Sequence, residues 1–469
     1  MHNPASPGGG KPRHFQKSAS APERFPRKAR RSAPGFDARQ LAVRVISSVL
    51  DDRRPFEEAF DKALQIESLA ALEPRDRAFA RLIVATVLRR RGEFEAVLKP
   101  LIDKPLPERR GRLSSILLSA TAQLLALDTP PHAAISLAVD QCRTDRDARR
   151  FDKLVNAVLR RVATEGPATL KSLDGAALNV PGWMSRRWRT HYGETDARRI
   201  AECSLIEAPL DLSVKSDAVV WATRLNGVVL PTGSVRLSGG GRIEDLPGYA
   251  EGTWWVQDAA AALPARLFGD VTGLEIADLC AAPGGKSAEL AAAGAKVTAV
   301  DQYSDRLVRT RENLKRLSLR ADVIQADVSE WAPGRTFDGV LLDAPCTSTG
   351  TIRRHPDILH LKREADVATL ARLQSRLLYN AGRLVKPGGL LIYCTCSLEP
   401  EEGEAQIAGF LARTPGFAIE PLSPGESGID AAWITDTGHL RTLPLHLQSA
   451  TADHGGMDGF FAARLRRLS

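Results

Sequence analysis

The sequence predicts a multidomain chain: an all-α domain, then a small α/β linker subdomain, then an α/β domain with a mostly parallel sheet. Three observations predict it. The first part carries apolar residues at helical spacing, punctuated by prolines. The last part alternates short apolar runs with helical stretches, the pattern of repeated βα units. And 469 residues exceed what one core serves, so two or three domains are expected.

Residues 1–35 are rich in Pro, Gly, Ser and Ala and lack apolar periodicity, which predicts a disordered tail. They hold eight Lys and Arg against Glu23 alone, so +7 of the net charge of +8 lies there. The body is close to neutral, and any RNA surface on it must come from local patches. The all-α domain is placed at 36–165. Leu41, Val45 and Val49 recur four apart after Phe36, and further helices are expected over 75–88, 94–102, 113–127, 133–142 and 151–162.

The linker subdomain is placed at 166–250. Its run Pro181-Gly-Trp-Met-Ser-Arg-Arg-Trp-Arg189 interleaves aromatics with arginines. That suits base stacking plus backbone charge, and equally a helix that buries Trp183. Alternation over 210–215 and glycines over 225–246 predict short strands and turns. The α/β domain, 251–469, has expected strands at 276–279, 296–300, 321–325, 337–342 and 389–393. Helices are expected at 306–317 and 364–385, and a strand at 459–465 should add antiparallel pairing.

The chemistry gathers at the ends of these strands. Cys280, Ala281, Ala282, Pro283, Gly284, Gly285 and Lys286 form a small-residue loop before a helix, where backbone N–H groups can meet a ligand. A Walker A loop needs glycine where Cys280 stands, and no Gly-x-Gly-x-x-Gly follows the strand. Asp301 follows the next strand at the distance expected for binding a ribose diol, Asp327 suits a donor on an adenine edge, and Asp343 lies between cofactor and substrate.

Six scattered cysteines form neither a disulfide framework nor a metal set, so no metal is expected. No apolar run approaches the roughly 18 residues that span a bilayer, and a cytoplasmic protein without membrane partners is expected. Cys142 and Cys203 suit burial as inert hydrophobes. Cys346, Cys394 and Cys396 instead sit at the sheet mouth beside the acids, which suggests covalent catalysis by a thiolate.

Arg75-Asp-Arg-Ala-Phe-Ala-Arg-Leu-Ile-Val-Ala-Thr-Val-Leu-Arg and Val155-Asn-Ala-Val-Leu-Arg-Arg161 resemble helices of the NusB family, an all-helical RNA-binding fold. Asp278-Leu-Cys-Ala-Ala-Pro-Gly-Gly-Lys286, Asp343-Ala-Pro-Cys346, Arg353-Arg-His-Pro-Asp357 and Thr395-Cys396-Ser397 resemble the Nop/Sun family of RNA 5-methylcytosine methyltransferases. Two departures are visible: Thr-Ser-Thr-Gly350 follows Cys346, and Cys394 adds a thiol where alanine is usual.

The resemblance implies a Rossmann-like domain that uses S-adenosylmethionine and a monomer acting on ribosomal RNA of the small subunit. It implies that Cys396 attacks cytosine C6, that Cys346 assists breakdown of the adduct, and that Asp343 and Lys286 hold or polarise the base. The residues alone leave Cys346 and Cys396 undistinguished, because the Pro-Cys thiol is the nucleophile in DNA enzymes of similar chemistry. A target base must also leave its stack or already lie in a loop. The competing expectation is a non-catalytic RNA-binding factor in ribosome assembly or antitermination, against which the paired thiols count. A DNA methyltransferase is disfavoured by the NusB-like domain.

Overall fold

The computed structural model describes residues 34–239, 241–447 and 455–468. All but the last two residues of the predicted basic tail lie outside that range. The helical domain is built from Phe36–Leu50, Phe56–Leu64, Pro74–Leu98, Leu113–Leu125, Pro131–Thr144 and Asp152–Ser172. Leu41, Val45 and Val49 face inward as their spacing requires, against Ile83, Val87, Ile116 and Leu159.

Two expected helices, 75–88 and 94–102, are one. Pro74–Leu98 continues through Arg90, whose φ and ψ of −120° and 23° only kink it. Gly92 is not a break but a contact: a Cβ there would lie 2.0 Å from Leu178 O. The last helix of the domain runs through Pro167 to Ser172, past residue 165.

The linker holds the helix Gly182–Ser204 and four strands: β1 (Asp211–Val214), β2 (Gly227–Val229), β3 (Val235–Leu237) and β4 (Trp254–Val256). They pair antiparallel in the order β2-β3-β1-β4, so the sheet extends beyond residue 250. The arginine-aromatic run differs from both versions of the expectation. Trp188, not Trp183, is the core residue; it is 1% exposed and donates to Glu399 Oε1 at 3.2 Å. Arg187 is taken by Glu399 and Glu401 rather than offered to RNA.

The large sheet contains β5 (Glu275–Leu279), β6 (Lys296–Asp301), β7 (Ala321–Gln325), β8 (Phe337–Asp343), β9 (Val385–Thr395), β10 (Phe417–Ile419), β11 (Leu440–Thr442) and β12 (Phe460–Arg467). Its order is β10-β12-β9-β8-β5-β6-β7, with β11 also on β12. The pairs from β9 across to β7 are parallel, and β12 runs antiparallel to β9. Apolar clusters cover both faces, which is why these strands read as continuous apolar runs. The carboxyl ends of β5, β6, β8 and β9 therefore open on one side.

The helical domain docks beside that opening. Phe56 N donates to Asp357 Oδ2 at 3.0 Å, Arg89 to Arg353 O at 3.0 Å, and His360 Nε2 meets Leu88 O at 2.7 Å. No helix among the described residues is long and apolar enough to cross a membrane.

Candidate active site

The loop after β5 is shaped by its small residues. Cys280 takes a left-handed φ of 60°, and Gly284 a φ of 97° at which a Cβ would meet Thr310 Cγ2 at 2.9 Å. The helix Gly285–Ala292 then starts with its free N–H groups facing the sheet mouth. Asp301, only 2% exposed at the end of β6, accepts from Ala282 N at 3.2 Å and Tyr303 N at 3.1 Å. Arg306 closes the same corner by donating to Ala282 O at 2.7 Å.

Under the loop, Asp278 is fully buried and accepts from Ser287 Oγ, while its Oδ1 has no partner. Burial, opposed by the Ser287 hydrogen bond, pushes Asp278 up to about 7. Asp327 lies one strand further out than Asp301, next to Ala326, whose N donates to Asp301 O at 3.1 Å. It is exposed beyond β7, the outermost parallel strand, and its Oδ1 accepts from Ser329 N and Oγ at 2.8 Å.

Asp343 ends β8 between the loop and the cysteines. Lys286 Nζ lies 2.8 Å from its Oδ2 and 4.9 Å from the centre of the Phe460 ring. Burial would strip the Lys286 proton, but the adjacent Asp343 outweighs it and holds the ammonium above its usual range. Cys394 Sγ is 3.6 Å from Asp343 Oδ1. Burial, and then Asp343, push that thiol well up, so it stays protonated.

Cys346 and Cys396 meet at 3.5 Å between sulfurs. They respond in opposite directions. The contact with Cys396, then burial, push Cys346 well up. The hydrogen bond from Cys346, helped by Ser348 and Lys286 against burial, draws Cys396 below the ordinary thiol value. Cys280 is pushed up by burial and by Asp301, and does not join the pair.

Cys396 opens on a cleft of about 850 Å³. Pro283 and Arg306 line it from the cofactor loop side, Ser348, Thr351 and His355 from the segment after β8, and Arg53, Pro55 and Phe56 from the helical domain. That last wall was missed from sequence, because nothing local to residues 53–56 signals a cleft more than 200 positions away. Glu402 was missed too. It sits fully buried behind both cysteines, although Pro-Glu-Glu-Gly-Glu reads as a solvated turn.

This sheet order, with a small-residue loop after its central strand and acids on neighbouring strand ends, defines an S-adenosylmethionine-dependent methyltransferase fused to a NusB-like helical domain. The comparisons agree. Residues 270–466 match the family model 16S rRNA methyltransferase RsmB/F, and residues 37–164 match the NusB family. Ribosomal RNA small subunit methyltransferase B of Xanthomonas campestris pv. campestris is 37% identical over 412 residues, covering 84% of this chain and 92% of that one. The protein of the same name from Xylella fastidiosa is 37% identical over 450 residues, covering 92% and 98%.

Among solved structures, PH0851 shares the fold at TM-score 0.73 and 24% identity, covering 92% of this chain and 99% of that one. A methyltransferase homolog protein from Pyrococcus horikoshii is 29% identical at TM-score 0.50, covering 60% and 94%. The chain belongs to the RsmB/F family of ribosomal RNA small-subunit methyltransferases. It is therefore an S-adenosylmethionine-dependent RNA methyltransferase, not the binding-only factor that its helical domain alone would allow.

The residues present fit that methyl donor. Asp278 Oδ1 is a buried acceptor left over beneath the loop, the start of helix Gly285–Ala292 offers N–H groups, and the Asp301 carboxylate sits at the loop's corner. Replacing Asp301 by alanine should weaken cofactor binding by roughly 10- to 100-fold in calorimetry, the size of a lost hydrogen bond to a charged group. Unchanged affinity would remove Asp301 from the site.

Proposed function

We propose that the chain transfers a methyl group to C5 of a cytosine in small-subunit ribosomal RNA through a covalent Cys396–C6 adduct. The observation that carries this is the thiol pair: Cys396, drawn down toward its thiolate by the contact, lies at the cleft with Cys346, pushed up, 3.5 Å away. Cytosine C5 is a poor nucleophile until a thiolate adds at C6. Cys396 forms the S–C6 bond, and the C5=C6 electron pair makes C5 enamine-like. Bound S-adenosylmethionine supplies an electrophilic methyl group to that carbon.

Asp343 accepts from the exocyclic amine of the base, and Lys286 orients it through the 2.8 Å contact with Oδ2. The C5 proton then passes to solvent, its electron pair restores the double bond, and the S–C6 bond breaks to return Cys396 as its thiolate; Cys346 assists that elimination. The helical domain, which walls the cleft, serves to hold the RNA rather than to react. Cys280 to Lys286 with Asp301 hold the cofactor, and Asp327 completes the site from the outer strand.

Bisulfite mapping of ribosomal RNA from cells with and without this protein tests the reading. One small-subunit cytosine should lose its protection when the protein is absent. An identical pattern in both would sink it.

A further inference from the structure

Glu402 ends the short turn Pro400–Glu402 after β9 and is fully buried. Its carboxylate accepts from Thr347 N at 3.0 Å, from the Thr347 hydroxyl, from Ser397 Oγ at 2.5 Å and from Gln374 Nε2 at 3.0 Å. Thr347 directly follows Cys346, and Ser397 directly follows Cys396. One carboxylate thus grips the residue next to each thiol.

The grip is anchored from both sides. Tyr393 Oη and Thr395 Oγ1 donate to Glu402 O at 2.8 and 3.1 Å, which pins its backbone to β9. Gln374 also donates to Pro345 O at 2.9 Å, which holds the residue before Cys346. The donors around the carboxylate are all neutral. A buried charge held in this way is costly, and an apolar residue would fill the space more cheaply.

We propose that Glu402 is a positioning residue for methyl transfer: its carboxylate grips the residue after each thiol and so holds the two cysteine loops in sulfur contact. Three observations support it. Its partners Thr347 and Ser397 directly follow the two cysteines. Its negative charge opposes a thiolate on Cys346. And the contact with Cys346, at 3.5 Å, is the largest influence drawing Cys396 below the ordinary thiol value. The proposal rests on Cys396 as nucleophile.

Glu402→Gln sets an amide NH2 against donors that need an acceptor. In the full-length enzyme kcat should fall about 100-fold, the usual cost of misplacing a reacting group by an ångström, with cofactor affinity unchanged. Iodoacetamide alkylation of Cys396, followed by peptide mass across pH, should show its midpoint raised by about one pH unit as the S–H···S contact is lost. Glu402→Asp keeps the charge and should restore most of that midpoint. Ser397→Ala removes one donor and should give an intermediate loss of kcat.

Wild-type kcat and midpoint in Glu402→Gln would overturn the proposal. So would poor folding of the Gln variant combined with a wild-type midpoint and kcat in Ser397→Ala. The alkylation needs no RNA. A shifted midpoint in an enzyme that makes no 5-methylcytosine would therefore uphold the grip and fail the C5 reading.

Discussion

Cys396→Ala should abolish methyl transfer, by at least about 10³-fold, and trap no RNA. Without the thiolate C6 is never attacked and C5 stays unreactive. Cys346→Ala should do the opposite on a denaturing gel. Attack and transfer proceed, elimination stalls, and a protein–RNA complex resistant to denaturation accumulates. The two thiols are pushed in opposite directions, Cys346 up by the contact and burial and Cys396 down by the contact, which favours attack by Cys396. Cys394→Ala is the control. That thiol is fully buried and turned toward Asp343, so activity should stay within a few-fold of wild type. An adduct with Cys396→Ala and none with Cys346→Ala would reverse the roles.

Asp343→Asn should be nearly as damaging for a different reason. It preserves shape but leaves the Lys286 ammonium, whose side chain is 10% exposed, without its counter-charge. Methylation in a single turnover should fall about 10²–10³-fold, as when a charge-stabilising group is lost. Stability should drop by about 1–3 kcal/mol, less than for a fully buried pair because Asp343 is 32% exposed. The sign in pH follows from the raised value of Lys286. The pair's contribution is complete below the ordinary lysine range and is lost as pH rises through the folded-state value. The variant should therefore melt below wild type at pH 7, with the gap closing in strong alkali as Lys286 loses its proton. An equal melting temperature and rate at pH 7 would show that the pair is idle.

The parallel strands were legible because β5, β6 and β8 are buried on both faces and four strands end beside the loop and acids that the sequence singles out: Leu279, Asp301, Gln325 and Asp343. Helix boundaries were less so. Arg-Arg-Arg-Gly92 looks like an end, yet the helix continues, because the glycine is there to admit the Leu178 carbonyl rather than to stop the chain. Trp183 and Trp188 share one local pattern, and only Glu399, more than 200 residues on, decides which is buried. The cofactor loop and cysteines were visible as motifs. The groups that hold them, Glu402 and the wall at Arg53 to Phe56, were invisible because their partners are distant and their own surroundings look solvated.

β12 lies between β9 and β10, and Phe461 and Ala462 pair with Thr395 and Cys394. During translation, then, β9 waits as an open edge from the time residue 395 emerges until residue 467 has cleared the ribosome. For that interval the strand leading to Cys396 has unsatisfied backbone groups, an apolar surface and no neighbour on one side. Catalytic competence thus waits for residues 460–467, and a chain interrupted before residue 460 would be not a weaker enzyme but a sticky one.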